Sequence, residues 1–348
     1  HIGLPKTGTT VIQEYYFSKL QEPLICYNPS SIIEPVLQAI KLLDFGLLKD
    51  EDLDFLHDIV QCESNKITQD TVLISFEILS QRLMKFNFAE RGRFLKAIFP
   101  NATIILVLRY QPVLLRSLYQ QHVSQNYLLT PEEVFIPFSE SIFPEAERWK
   151  STMKIDVKEW NYTEAIKHFR QHYGEDFHVL FYEDYSRSII DIGKSIFSCA
   201  GIKIDKGTLN FPLPKTNVSY DSTTMSILLY IARHKLAFLA NSGFDSLHMQ
   251  NLLEQANQAR YIFDANGRKD FLSRMQSQQY QSHSIYSSFS RKLLEVIKKY
   301  STLRNNFIQP QRYELPEAIM SYLEYESKNL NASLVEVVDK NKIPKQYL

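Results

Sequence analysis

Two kinds of apolar pattern alternate along this chain. Thr71-Val-Leu-Ile-Ser-Phe76, Thr103-Ile-Ile-Leu-Val-Leu108 and Phe177-His-Val-Leu-Phe-Tyr182 are short runs rich in β-branched or aromatic residues, the form expected of strands buried on both faces. Pro23-Leu-Ile-Cys-Tyr27 reads as a shorter strand closed by Asn28-Pro29-Ser30, and Ile2 to Leu4 as the end of a first one. Between these runs the apolar positions step at helical spacing. Ile33, Val36, Leu37, Ile40 and Leu43 form one stripe, and Leu53, Leu56 and Val60 another behind an acidic start at Asp50. Phe88 to Phe99 is a crossover helix. The next helix begins near Pro112 and lines up Leu114, Leu115, Leu118 and either Tyr119 or His122, with Ser117 near its opposite side. Asn161 with Glu164 caps a helix whose stripe is Tyr162, Ala165, Ile166, Phe169 and Tyr173 and whose stop is Gly174. Ser188 to Ala200 is a further helix, stopped by Gly201.

Strands alternating with helices four or five times predict an α/β fold, a parallel sheet of about five strands flanked by helices. Ligands of such sheets sit outside the carboxyl ends of the strands. The loop after the first strand, Glu77 after the third and Arg109 after the fourth all fall at that edge. Residues 124–160 interrupt the pattern with Pro131, Pro137 and Pro144 among bulky Tyr127, Phe135, Phe138 and Trp149, and read as an irregular substrate loop or lid. From about Asp221 the pattern turns helical, as in Met225–Ile231, Phe244–Tyr261, Arg291–Tyr300 and Pro316–Asn329, with a polar Gln276–Ser290 interval. A C-terminal helical extension over 221–348, packed on an α/β domain over 1–220, is the expected organisation.

Composition adds boundaries. A chain of 348 residues, 44% hydrophobic and 22% charged, can bury a large core, and its 39 basic and 39 acidic residues leave no overall field to attract nucleic acid. An anion site must therefore be local. Cys26, Cys62 and Cys199 are widely spaced and odd in number, so neither a zinc site nor a disulfide framework is expected, and a reducing, cytoplasmic setting fits. No run reaches the roughly 18 apolar residues of a membrane span. The chain opens without an initiator methionine almost at the end of its first strand, so it reads as trimmed, with any upstream leader or anchor out of view. Sequons at Asn101, Asn161, Asn217 and Asn331 are of a kind that arises by chance.

The chemistry gathers in His1-Ile-Gly-Leu-Pro-Lys-Thr-Gly-Thr-Thr10, a strand, a loop and a helix start. Backbone N–H groups converging in such a turn, with the helix dipole behind them, hold a phosphate or sulfate. Gly8 allows close backbone approach, Lys6 supplies a full charge, and Thr9 and Thr10 supply hydroxyls. Gly3 and Gly8 have the separation of a nucleotide P-loop and Thr10 occupies its Ser/Thr position, but Thr9 follows the second glycine where an NTPase has lysine. A plain Gly/Thr-rich connector is the structural alternative.

Pro5-Lys6-Thr7-Gly8-Thr9-Thr10 resembles the 5′-phosphosulfate loop of sulfotransferases that use 3′-phosphoadenosine 5′-phosphosulfate (PAPS), of the bacterial carbohydrate type with a P-loop-like fold. Arg109 closing a strand, with Ser117 eight residues on, is similar to that family's 3′-phosphate element; Tyr110-Gln111 replace the Asp or Asn often found before its proline. A planar guanidinium can make two charge-assisted bonds to a phosphate while a hydroxyl donates a third. Phe211-Pro-Leu-Pro-Lys-Thr-Asn-Val-Ser219 resembles the stretch in which the family's chain returns toward the nucleotide, and makes Lys215 a candidate contact. The family's Arg-Lys-Gly adenine loop is not present as such, since Gly267-Arg268-Lys269 has the same residues in another order, and the adenine contacts stay unassigned.

The resemblance, over roughly residues 1–220, implies that PAPS is the co-substrate, that no metal is required, and that a sulfuryl group passes to a hydroxyl, or as a lesser alternative an amine, of a carbohydrate-like acceptor. Such transfer needs a general base. Glu77 is the first candidate, as several carbohydrate sulfotransferases use glutamate, and its structural alternative is a carboxylate that caps a helix or pairs with Lys6 or Arg109. His122 is the second candidate; His1, inside a strand, reads as structural. Lys6 is the electrophilic group. Two other functions stay open: a P-loop kinase acting on a small molecule, and a non-catalytic nucleotide-binding partner.

Overall fold

The computed structural model describes residues 1–4, 7–15, 17–19, 25–44, 47–79, 88–124, 129–138, 154–185, 189–202, 221–233 and 312–348, with Val296 and Lys299. In chain order the elements are β1 (Ile2–Gly3), α1 (Thr9–Tyr15), β2 (Ile25–Tyr27), α2 (Ser30–Asp44), α3 (Asp50–Ser64), β3 (Thr71–Leu73), α4 (Phe88–Ile98), β4 (Ile104–Leu108), α5 (Gln111–Ser124), α6 (Pro131–Val134), β5 (Phe135–Ile136), β6 (Ile155–Asp156), α7 (Tyr162–Tyr173), β7 (Phe177–Phe181), α8 (Ile189–Cys199), α9 (Ser222–Arg233) and α10 (Glu317–Asn331). The fold is mixed α/β with small parallel sheets.

β4 organises the molecule. All five of its residues are buried, and it pairs in parallel with β1 on one side and β7 on the other, with Ile2 opposite Leu106 and Leu108 opposite Phe181. Its side chains alternate between two cores, as strand geometry requires. Ile104, Leu106 and Leu108 enter the larger core with apolar residues of α2, α4, α5 and α7. Ile105 and Val107 enter a smaller one with Ile12, Phe17, Ile25, Leu73, Ile192, Ile196 and Phe197, under α1 and α8.

The five parallel strands expected at these positions are present, but in two ladders. β2 and β3 pair separately, Ile25 opposite Thr71 and Tyr27 opposite Leu73. The main-chain nitrogen of His1 donates to Ile74 O at 2.7 Å, which sets the continuation of β3 beside β1. The ladder does not run on because side chains take over the main chain at Ser75. Ser75 N donates to Asn28 Oδ1 at 2.8 Å, and Ser75 O accepts from Gln13 Nε2 at 2.9 Å and Asn28 Nδ2 at 3.2 Å. That diversion also cuts the expected strand 71–76 down to three residues.

The segment expected to be irregular contains more order than its prolines suggest. Pro131 occupies the first turn of α6, a position that lacks an N–H partner in any helix. Thr130 caps that helix reciprocally with Glu133, whose carboxylate accepts from Thr130 N at 2.7 Å. β5 and β6 then form a two-stranded parallel sheet. Residues 125–128 and 139–153 of the segment lie outside the described residues, as do Phe244–Tyr261 and most of Arg291–Tyr300.

α7 begins as read: Asn161 Oδ1 accepts from Glu164 N at 3.2 Å, and Gly174 ends the helix at φ 56°. The C-terminal residues are continuous with the larger core, to which α9 contributes Met225 and Leu228, α10 contributes Ile319 and Leu323, and the last turns contribute Leu334, Ile343 and Tyr347. A buried amide pair joins α10 to α5, with Gln111 Nε2 donating to Asn331 Oδ1 at 2.8 Å and Asn331 Nδ2 to Gln111 Oε1 at 3.0 Å. Gln111, the residue before Pro112, is thereby used inside the fold. Among the described residues no helix is long and apolar enough to cross a membrane.

Candidate functional site

β1 delivers the chain to the candidate loop, and glycine is required where it does so. A Cβ on Gly3 would lie 2.2 Å from Thr9 Cγ2 and 2.9 Å from His1 Nε2, so the first residue of α1 rests directly on the β1 backbone. The fully buried Thr7 ties the loop together, its Oγ1 donating to Leu4 O at 2.6 Å. Gly8 takes φ 75°, a left-handed conformation natural to glycine, and its carbonyl accepts from Ile12 N at 3.2 Å to open α1. Thr10 lies in the first turn of that helix. Pro5, Lys6 and the Thr10 side chain lie outside the described residues.

Glu77 stands against this loop. It opens a single 3-10 turn after β3, and its Oε1 accepts a hydrogen bond from Thr9 Oγ1. Below them a buried polar network supports both segments: His1 Nδ1 lies 2.7 Å from Ser75 Oγ, which also receives Gln13 Nε2 at 3.0 Å. The expectation that His1 is structural agrees with this position.

β4 ends beside β1, since Leu4 N donates to Val107 O at 3.3 Å, and Arg109 follows. Its guanidinium lies over the Tyr182 ring, 4.8 Å from the centroid. The adjoining backbone is clamped. Tyr162 Oη donates to Arg109 O at 2.5 Å, and Tyr110 N donates to Glu183 Oε1 at 2.8 Å. Burial lowers the pKa of Arg109, the Tyr182 and Glu183 fields oppose that shift, and the charges of Arg312 and Arg116 add to it. Arg312 is likewise pushed down, first by burial and then by Arg116. A guanidinium does not lose its proton in a protein. Arg116 and Arg312 are thus near enough for their charges to act on Arg109, with Glu183 opposing them there and Glu314 opposing Arg116 at Arg312.

Arg116, 6% exposed, is paired through Nη1 with Glu314 Oε2. Arg312 makes an antiparallel bridge with Asp221, which caps α9 by accepting from Thr224 N at 2.9 Å. Neither arginine is conspicuous in the sequence. Arg116 could have been noticed as the one basic residue in Val113-Leu-Leu-Arg-Ser-Leu118, but Arg312 lies in a stretch without a motif.

Two of the remaining candidates lie on α5. Ser117 is half-buried on the second turn of α5, next to Arg116. His122 is on the last turn, roughly 16 Å along the axis from Gln111 at 1.5 Å per residue, away from the strand edge. Lys215 lies outside the described residues. Among the described residues, no group of three or more His, Cys, Asp or Glu side chains is placed to hold a metal ion.

No protein-family model and no curated protein matches this chain. Among solved structures it is similar to a sulfotransferase from Alicyclobacillus acidocaldarius, with 15% sequence identity and a TM-score of 0.37 over 69% of this chain and 92% of that one.

Proposed function

We propose that this protein is a PAPS-dependent sulfotransferase acting on a hydroxyl of a carbohydrate-like acceptor, with residues 1–220 forming the nucleotide-binding part and 221–348 packed on it. One arrangement supports the reading. β1 and β4 end side by side, the first on the Thr7–Thr9 loop with Glu77 against it and the second on Arg109 among further arginines. In this reading the two strand ends are the two anion-binding ends, with a carboxylate at one of them, as a nucleotide phosphorylated at both 3′ and 5′ positions requires.

In this reading the backbone of Thr7–Thr9 and the Lys6 ammonium hold the phosphosulfate, while Arg109 and Ser117, with Arg312 nearby, hold the 3′-phosphate. Lys215 is a further candidate contact. The acceptor oxygen forms a bond to sulfur as the bond between sulfur and the bridging 5′-phosphate oxygen breaks. Glu77 takes the acceptor proton, and Lys6 offsets the negative charge that grows on the departing phosphate. Thr9 orients the Glu77 carboxyl through Oε1. The position of His122 on the far turn of α5 favours Glu77 as the base.

Calorimetry with adenosine 3′,5′-bisphosphate tests the assignment. Binding by the wild-type chain, weakened at least about tenfold in Lys6→Ala, is expected from the loss of a charge-assisted contact. Absence of binding, or binding indifferent to Lys6, overturns it. Radiolabelled PAPS offered to glycans, lipids and small phenols identifies the acceptor, and turnover that depends on Mg²⁺ and ATP instead would favour a kinase.

A further inference from the structure

The residues around Arg109 do not all come from the α/β part of the chain. Glu183 Oε1 holds Tyr110 N at 2.8 Å, and Glu183 Oε2 accepts from Tyr347 Oη at 2.8 Å. Tyr347 is fully buried. Its ring packs edge-on to Phe181 at 5.0 Å and to Tyr110 at 5.5 Å, and tilts against Tyr162 at 6.4 Å, whose hydroxyl holds Arg109 O. A 3-10 turn, in which Tyr347 N donates to Pro344 O at 3.0 Å, sets it there. Glu183 thus holds the N–H of the Arg109–Tyr110 peptide, and the ring that holds its carbonyl is in contact with Tyr347.

We propose that Tyr347 and Glu183 are positioning residues for the 3′-phosphate end of the nucleotide site: the C-terminal turn, through Tyr347 Oη and Glu183, sets where the Arg109 guanidinium stands. The inference rests on the reading of Arg109 as a 3′-phosphate contact. A bidentate guanidinium contact tolerates little displacement, so a carboxylate that fixes the backbone one residue away controls its geometry. Glu183 also acts on Arg109 through its charge, one of the fields that oppose the effect of burial on that group. Burial and then Glu183 keep the Tyr347 phenol protonated and able to donate.

The test compares two ligands on the full chain. Adenosine 3′,5′-bisphosphate and adenosine 5′-phosphate differ by the 3′-phosphate alone, so the ratio of their dissociation constants reports that end of the site. Tyr347→Phe keeps the ring and removes the hydroxyl, and Glu183→Gln keeps an acceptor for Tyr110 N and removes the charge. Each variant is expected to weaken the bisphosphate roughly 3- to 10-fold while leaving the monophosphate unchanged. If the wild-type ratio is large and both variants keep it, or if both ligands weaken equally, the positioning role is overturned while the reading of Arg109 stands. If the wild-type protein does not distinguish the ligands, the reading of Arg109 itself fails. Should Tyr347→Phe melt too low to assay, Glu183→Gln alone decides between these outcomes.

Discussion

The hydroxyl of Thr9 donates to the Glu77 carboxylate across 68 positions of sequence, joining the first turn of α1 to the turn after β3. In Glu77→Gln the side-chain carbonyl can still accept that bond, so the loop keeps its shape while the group loses its capacity as a base. If Glu77 is the base of the proposed sulfuryl transfer, turnover should fall roughly 10²- to 10⁴-fold with adenosine 3′,5′-bisphosphate binding changed only a few-fold. Single-turnover assays with radiolabelled PAPS beside calorimetry check this; unchanged turnover would remove Glu77 from the chemistry.

Gly3→Ala drives a methyl group into Thr9 Cγ2, 2.2 Å away. A loss of about 1–3 kcal/mol is expected from such overpacking. Adding Thr9→Ser removes the opposing methyl but keeps the hydroxyl for Glu77, so the double variant is expected to recover part of the stability. Urea denaturation of the single and double variants measures the recovery; if none occurs, the contact with Thr9 does not explain the need for glycine.

Arg312→Ala withdraws one of the cations near Arg109. If Arg312 reaches the 3′-phosphate, adenosine 3′,5′-bisphosphate should bind about tenfold or more weakly, the equivalent of roughly 1.5–3 kcal/mol for a hydrogen bond to a charged group. If it only crowds Arg109, binding should hold or tighten. Titration calorimetry at fixed ionic strength separates the two.

Gln111 and Asn331 satisfy each other in a site closed to solvent. Gln111→Leu alone leaves the Asn331 amide buried without its partner and is expected to lower stability by about 1–3 kcal/mol. Gln111→Leu with Asn331→Leu is expected to recover much of it. Thermal melts of the cycle provide the check. Asn331 is also fully buried, so its sequon is expected to remain unmodified in a glycosylating host, as peptide mass mapping can show.

Alkaline pH should weaken the fold by way of its tyrosines. Burial pushes Tyr162 and Tyr347 well above the ordinary range, and Tyr27 is pushed up to about 12. An unfolded tyrosine ionises near pH 10, about its unperturbed value. A raised folded pKa means that the stabilisation is complete below that pH and is lost progressively above it. The melting temperature is expected to decline from about pH 10 upward, more gently in Tyr347→Phe. Circular dichroism melts across that range measure the slope, and equal slopes in both proteins would contradict the assignment to Tyr347.

By itself the sequence determined what is local. The apolar run 103–108, the caps at Asn161 and Gly174, and the glycine at position 8 before a helix all act within a few residues, through backbone sterics, capping and strand burial, and β4, α7 and the start of α1 stand where those signals put them. Tertiary structure decided what depends on partners far along the chain. Ser75 breaks the β3 ladder because Asn28 and Gln13 take its main-chain groups. Arg109 gains neighbours in Arg312, which no motif marks, and in Glu183, which is itself bonded to Tyr347 from the other end of the chain. No local pattern encodes these meetings, because a hydrogen bond or an ion pair depends on distance in space, and only the packing of β4, β7 and the C-terminal turn sets that distance.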